Sequence, residues 1–234
     1  MRVINYEQLK SILSQQAEWP RIVASGNFAP PMTLLKAADE SIENFNLHML
    51  NAHPGIPDRE GIDYESAFVG PAMRRHPRLH YIPSRLSMVP ILFRDHYRPD
   101  IVFLHTSPKR YDTVSLGVEV NILPAAIEAA RARNGIVIAQ ANKQMPYTYG
   151  DAQIYESEID YLIEVDEPLL EKPVVQPEVQ MPQVEQIPEP PIAKEVVQVQ
   201  EVPVLTDVVQ EAPVVQEQPV KKSRSKRSAK NKKQ

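Results

Sequence analysis

Short apolar runs that do not alternate with polar residues constrain this chain most. RIVAS (21–25), LHML (47–50), AFVG (67–70), LHYIP (79–83), IVFLH (101–105), IVIAQAN (136–142) and DYLIEV (160–165) are each too short for a globular helix. A strand with apolar side chains on both faces must be covered on both faces, which is the condition of a parallel sheet sandwiched by helices. Helical patterns fall between many of these runs, at 6–16, 33–41, 85–95 and 121–135. The last is the clearest: an Asn able to cap it, an early Pro, Ala-rich turns and an Asn-Gly stop. The expected fold is α/β, an open, mostly parallel sheet with helices on both faces.

That pattern ends near residue 170. Beyond it glycine and aromatic residues are absent, and Pro, Val, Gln and Glu recur in units such as PVVQPEVQ and PVVQEQPV. Proline at that density blocks helix and central strand alike. The expected organisation is therefore an α/β domain over 1–168, a disordered linker over 169–220 and a disordered basic tail over 221–234. The formal charge of −4 conceals three regimes: −5 over 1–170, −7 over 171–220 and +8 over 221–234.

With no cysteine, the chain has neither a disulfide framework nor a thiolate metal site. The first residues lack an apolar core of signal-peptide length, and no window approaches a membrane span, so a cytoplasmic protein is expected.

In a parallel α/β sheet, ligands bind at the carboxyl ends of the strands. The loops to inspect are SGNFAPP after 21–25, HTSPKRYDTVSLG after 101–105, and ANKQMPYTYGD after 136–142. In SGNFAPP, Gly26 permits a tight turn, and the helix start behind it offers backbone amides to an anion or a developing oxyanion. The loop contains no GxGxxG or GK[ST] motif. The six histidines, His48, His53, His76, His80, His96 and His105, lie on different elements without HExxH spacing, so no metal site is expected. No GxSxG elbow supplies a serine nucleophile. Arg74, Arg75, Arg78, Arg85, Arg94 and Arg98 could meet phosphates, but arginines on helix faces are more often solvated or structurally paired.

Seven strings taken in order, RIVASGNFAPPMTLLKA, LHMLNAHPGIPDREG, AFVGPAMRR, YIPSRLSMVPILFRDHY, PDIVFLHTSP, TVSLGVEVNILPAAIEAARA and IAQANKQMPYTYGD, carry a resemblance. Over about residues 20–167 the chain resembles the N-terminal domain of the acetyl-CoA hydrolase/CoA-transferase family, which includes acetate, succinate and 4-hydroxybutyrate CoA-transferases. The resemblance implies a two-domain enzyme of acetate metabolism with acyl-CoA in the cleft between its halves. It needs no resident cofactor, the coenzyme A thioester being a substrate. A glutamate of the C-terminal domain attacks the thioester, and no residue here matches that nucleophile's motif.

What the resemblance carries onto this chain is a share of the acyl-CoA cleft: Gly26, Asn27 and Phe28, then Asn142, Met145, Pro146 and Gly150, with no catalytic residue assigned. Glu119, in SLGVEVN, is the tempting stand-in for the nucleophile, but compensation of a helix dipole explains it more plainly. The chain then reads as half an enzyme, inactive alone, with a second chain as the expected partner. A buried acid of its own at the strand ends, among converging amide donors, would overturn that reading. The alternative is a non-catalytic scaffold whose basic tail binds nucleic acid or anionic surfaces.

Overall fold

The computed structural model describes residues 1–170. The segments expected to be a linker and a basic tail lie, from residue 171 onward, outside the described residues.

Ten strands and four helices follow in the order β1 (Arg2–Val3), α1 (Tyr6–Leu13), β2 (Arg21–Ala24), α2 (Met32–Ser41), β3 (Phe45–Met49), β4 (Ile62–Ser66), β5 (Leu79–Tyr81), α3 (Val89–Asp95), β6 (Ile101–Thr106), β7 (Thr113–Ser115), α4 (Leu123–Arg131), β8 (Ile136–Asn142), β9 (Gln153–Tyr155) and β10 (Tyr161–Val165). Eight of the strands form one sheet in the order β1-β10-β8-β6-β2-β3-β4-β5, and every pairing in it is parallel. β7 and β9 form a separate antiparallel pair.

The unalternating runs explain the two cores. Along β6, Ile101 and Phe103 face one side with Leu9, Leu34 and Leu35 of α1 and α2. Val102 and Leu104 face the other, with Phe93 of α3 and Leu123 and Ile127 of α4. Helices therefore cover both faces, as the sequence pattern required. None of the four helices is long and apolar enough to cross a membrane.

Local chemistry sets the helix ends. Asn5 and Gln8 form a reciprocal capping box on α1. The helical pattern over 85–95 divides at Pro90: a 3₁₀ turn spans Leu86–Met88 and α3 begins at Val89, so that Pro90 sits in its first turn, where a missing N–H costs nothing. Asn134, in the left-handed region at φ 59°, ends the α4 segment together with Gly135.

Two expectations fail. AFVG (67–70) is not a strand; the strand is the preceding IDYES, β4. Its polar Glu65 is buried because Arg21 of β2 reaches across β3 to hold it, at 2.8 and 3.0 Å. Asn121 does not cap α4 in the usual way: its Oδ1 accepts the N–H of Ile122, and Ile122 occupies the cap.

Candidate functional site

From β2 the chain moves to β3, β4 and β5 on one side of the sheet, then returns to β6 on the other side of β2. The order reverses between β2 and β6, and in open parallel sheets the crevice above such a reversal is the ligand site. The loop of residues 25–31 leaves β2 there.

Gly26 is fixed by close approach. A Cβ on it would lie 1.8 Å from the carbonyl oxygen of Leu50 at the end of β3. Asn27 follows in the left-handed region at φ 39°, a conformation that Asn tolerates. Its side-chain oxygen accepts from Asn51, itself left-handed, at 3.1 Å.

Glu119 dominates the crevice. It is fully buried, and its Oε1 accepts the backbone N–H groups of Phe28 at 2.9 Å and Ala29 at 3.0 Å. Oε2 receives longer contacts from the side-chain amides of Asn27 at 3.5 Å and Asn121 at 3.4 Å. Burial pushes the carboxyl up to about 7, against the pull of these four donors, and no cation among the described residues pairs with it. Glu119 thus does not compensate the dipole of α4; it is tied to a loop ninety residues earlier.

The structure meets the condition set against the half-enzyme reading: Glu119, an acid of this chain, is buried at the strand ends among converging amides. Access decides its meaning. Both oxygens of Glu119 are engaged and neither reaches solvent, so the carboxylate fills the anion site formed by the loop instead of facing a substrate in it. The amides expected to point outward are taken up by the protein itself. Pro30 and Pro31 have none, those of Phe28 and Ala29 go to Glu119, and that of Thr33 goes to Gln140 Oε1 at 3.1 Å.

A second network joins the ends of β6, β8 and β10. His105 Nδ1 lies 3.2 Å from the carbonyl oxygens of both Ala29 and Pro30, which can only accept, so Nδ1 carries the hydrogen. Its Nε2 accepts from Asn142 Nδ2 at 3.1 Å. Burial lowers the His105 pKa despite those two carbonyls, and the ring is neutral. Asn142 also donates to the backbone oxygen of Glu167 at 2.7 Å. The Glu167 side chain accepts from Thr33 Oγ1 at 2.6 Å and from Gln140 Nε2 at 3.0 Å. Leu170 N–H then bonds to Phe28 O, so residues 167–170 form a strap across the loop. Between strap and loop lies a cavity of about 110 Å³ beside Phe28, Met32, Pro54 and His105. A larger groove of about 390 Å³ by Trp19 and Asn44 is at the opposite, amino end of the strands.

The structure therefore brings Gly26, Asn27, Phe28 and Asn142 to one crevice. Met145 is buried against Gly117, two residues before Glu119: a Cβ on that glycine, at φ 58°, would lie 2.3 Å from Met145 Sδ. Pro146 is exposed next to it, and Gly150 stands exposed at φ 75° with open space around its Cα. Sequence reasoning missed Thr33, Gln140 and Glu167, and it left His105 without a role. The available signal was Gln140, a polar residue between apolar neighbours inside β8.

The fold and the reversal of strand order define a doubly wound α/β domain with a carboxyl-end crevice. Residues 57–176, about half of the chain, match the acetyl-CoA hydrolase/transferase N-terminal domain, and the chain belongs to that family. It is 32% identical over 164 residues to a 4-hydroxybutyrate coenzyme A transferase of Clostridium kluyveri, covering 64% of this chain and 37% of that protein. To a succinyl-CoA:acetate/propanoyl-CoA:succinate CoA transferase of Fasciola hepatica it is 33% identical over 148 residues, covering 57% of this chain and 30% of the other. The chain thus spans about a third of the length of these relatives. The fold is also that of RipA from Yersinia pestis, with a TM-score of 0.64 at 23% identity, over 75% of this chain and 44% of that one.

Proposed function

We propose that this domain forms one wall of an acyl-CoA cleft in a cytoplasmic enzyme that moves CoA from an acyl-CoA to a carboxylate, acetate among them, or to water. A second domain supplies the nucleophilic glutamate. That carboxylate attacks the thioester carbonyl and expels CoA thiolate, leaving an acyl-glutamyl anhydride. The thiolate attacks the glutamyl carbonyl of the anhydride, releasing the first carboxylate and forming a glutamyl-CoA thioester. The acceptor carboxylate, or water, then takes over by the reverse steps or by hydrolysis.

This wall's part is positional. Gly26, Asn27 and Phe28 shape the surface at the point of strand reversal, Asn142 holds His105 neutral, and Met145, Pro146 and Gly150 extend the wall along the next loop. An apolar, preorganised wall keeps water from the anhydride. The observation that supports the reading is the crevice itself: loop 25–31 is pinned by hydrogen bonds at the reversal point and the acid beside it is buried with both oxygens engaged, which favours an attacking carboxylate from outside this domain.

The test is an assay of the purified chain for CoA transfer from acetyl-CoA to succinate, alone and with a chain carrying the family's C-terminal domain. Binding of acetyl-CoA without turnover, and turnover only in the mixture, is expected. Turnover by the chain alone with a glutamyl thioester trapped on Glu119 would overturn the placement of the nucleophile. Failure to bind acetyl-CoA under either condition would favour a scaffold acting through the eight basic residues of 221–234.

A further inference from the structure

The groove of about 390 Å³ at the amino ends of the strands lies at the opposite end of the sheet from the crevice and takes no part in the acyl-CoA reading. Two helices end in it: Leu13 and Ser14 close α1, Ser41 and Ile42 close α2, and all four line the groove. The carbonyl end of a helix carries partial negative charge, and here two such ends converge. Glu18 and Glu43, both exposed, add full charges to the same walls, and no lysine or arginine among the described residues lines them. Trp19 supplies an aromatic wall. It is 48% exposed, while its Nε1–H donates to Asn46 Oδ1 at 3.4 Å and its backbone is held in the left-handed region at φ 55°, which a bulky side chain adopts at a cost.

The cations on and beside these two helices are already engaged. Lys10 pairs with Glu7 at 2.9 Å and with Glu40 at 3.7 Å, and Lys36 lies 3.9 Å from Glu40. Arg59 pairs with Asp39 at 2.8 Å and donates to the carbonyl oxygens of Asp39, Ile42 and Glu43. Arg59 does not line the groove, but it shows which chemistry the end of α2 attracts, a guanidinium. Glu18 and Glu43 have no ion-pair partner among the described residues.

We propose that this groove is the docking site for a cationic segment of a partner protein, whose arginine or lysine side chains meet the Trp19 ring, Glu18 and Glu43. A cation over an indole face is attracted by the ring, and the carboxylates and helix ends set the sign of the ligand. A single small cation gains little here, because the ring and both carboxylates are open to water and ion pairs so exposed are weak. Several cations carried on one segment engage the ring, the carboxylates and the helix ends together, which raises affinity without strengthening any one contact. The site stands or falls independently of the acyl-CoA cleft.

Trp19 is the only tryptophan of the chain, so its fluorescence reports on the groove directly. The experiment titrates the full chain with hexa-arginine, hexaglutamate and free arginine at low salt while following Trp19 emission. Anisotropy of labelled hexa-arginine is then compared on wild type, on the double variant Glu18→Gln, Glu43→Gln, and on a charge-matched control outside the groove, Asp112→Asn, Asp151→Asn. All four substituted side chains are exposed, and circular dichroism confirms that the variants fold. Hexa-arginine is expected to bind wild type and shift the Trp19 emission, the groove variant to bind it about 5-fold more weakly, and the control to bind it as wild type does, with no binding of hexaglutamate. Absent binding of hexa-arginine, binding without a change in Trp19 emission, equal affinity in all three chains, or an equal loss in both double variants overturns the site. Free arginine binding as tightly as the peptide overturns the partner segment in favour of a small cation. Self-association of the full chain that the groove variant abolishes overturns it in favour of a second copy.

Discussion

At the scale of single residues, Glu119 is both the best-placed and the least accessible acid in the crevice. Its carboxyl titrates at about 7 in the folded protein against an ordinary 4.5, because burial outweighs four N–H donors. Between those values the folded state holds a proton that the unfolded chain releases, so this residue's contribution to stability falls as pH rises from about 4.5 to 7 and is flat above that. The span corresponds to about 3 kcal/mol at most. Glu119→Gln keeps an oxygen for the Phe28 and Ala29 amides and removes the titration. Urea denaturation at pH 5, 6, 7 and 8 should therefore show the difference between wild type and variant changing across that window. A constant difference would contradict the raised pKa. Glu119→Ala leaves the Phe28 amide without a partner and the Ala29 amide with only Gly26 O at 3.2 Å, and should cost roughly 1–3 kcal/mol at pH 8. None of this was legible in SLGVEVN, because the residues that define the role of Glu119 are Asn27, Phe28 and Ala29, and sequence proximity points instead to α4.

At the scale of elements, sequence patterns located what burial on two faces makes unambiguous. The apolar runs of β2, β3, β6, β8 and β10 were read correctly, and IVIAQAN matches β8 residue for residue. β4 was missed because IDYES alternates polar residues that a sheet interior excludes unless they are paired. Arg21 provides that pairing, and although burial raises the Glu65 carboxyl, the His48 ring 3.7 Å away and the Arg21 guanidinium at 2.8 and 3.0 Å override it and hold the pKa below the ordinary carboxylate range. Glu65→Gln should cost roughly 2–4 kcal/mol in chemical denaturation, since Arg21 would lose its partner across β3. A cost under about 0.5 kcal/mol would mean the pair is solvated in solution, as surface pairs are. The β2–α2 connection is tested by Gly26→Ala. The added methyl meets the Leu50 carbonyl, a backbone group that cannot rotate away, so the loop must leave its place. Loss of backbone amide protection at Phe28 and Ala29 in hydrogen exchange is the expected result, with slow exchange in the variant as the contrary one.

At the scale of the whole molecule, the candidate crevice was legible only in outline. SGNFAPP stood out because glycine and two prolines follow a strand, and a parallel sheet directs attention to that end. The second network was hidden because Gln140, Asn142 and Glu167 come from β8 and from beyond β10, and only the strand order places them beside α2. That same order determines where the folded unit closes. β10 lies between β1 and β8, so residues 161–165 are interior to the sheet, and the Glu167 and Leu170 contacts to Thr33, Gln140 and Phe28 hold the chain for five residues more. Past that point Pro, Val, Gln and Glu dominate the sequence. Glu171 is the expected cleavage point under glutamyl endopeptidase and Lys194 under trypsin, which does not cut the Lys172–Pro173 bond. Mass spectrometry of a limited digest should find a resistant fragment that begins at Met1 and ends at one of them. Because the strap binds loop 25–31, a fragment ending instead before Glu167 should lose thermal stability relative to one ending at Leu170. Equal stability of the two would show that the strap rests on the crevice without holding it.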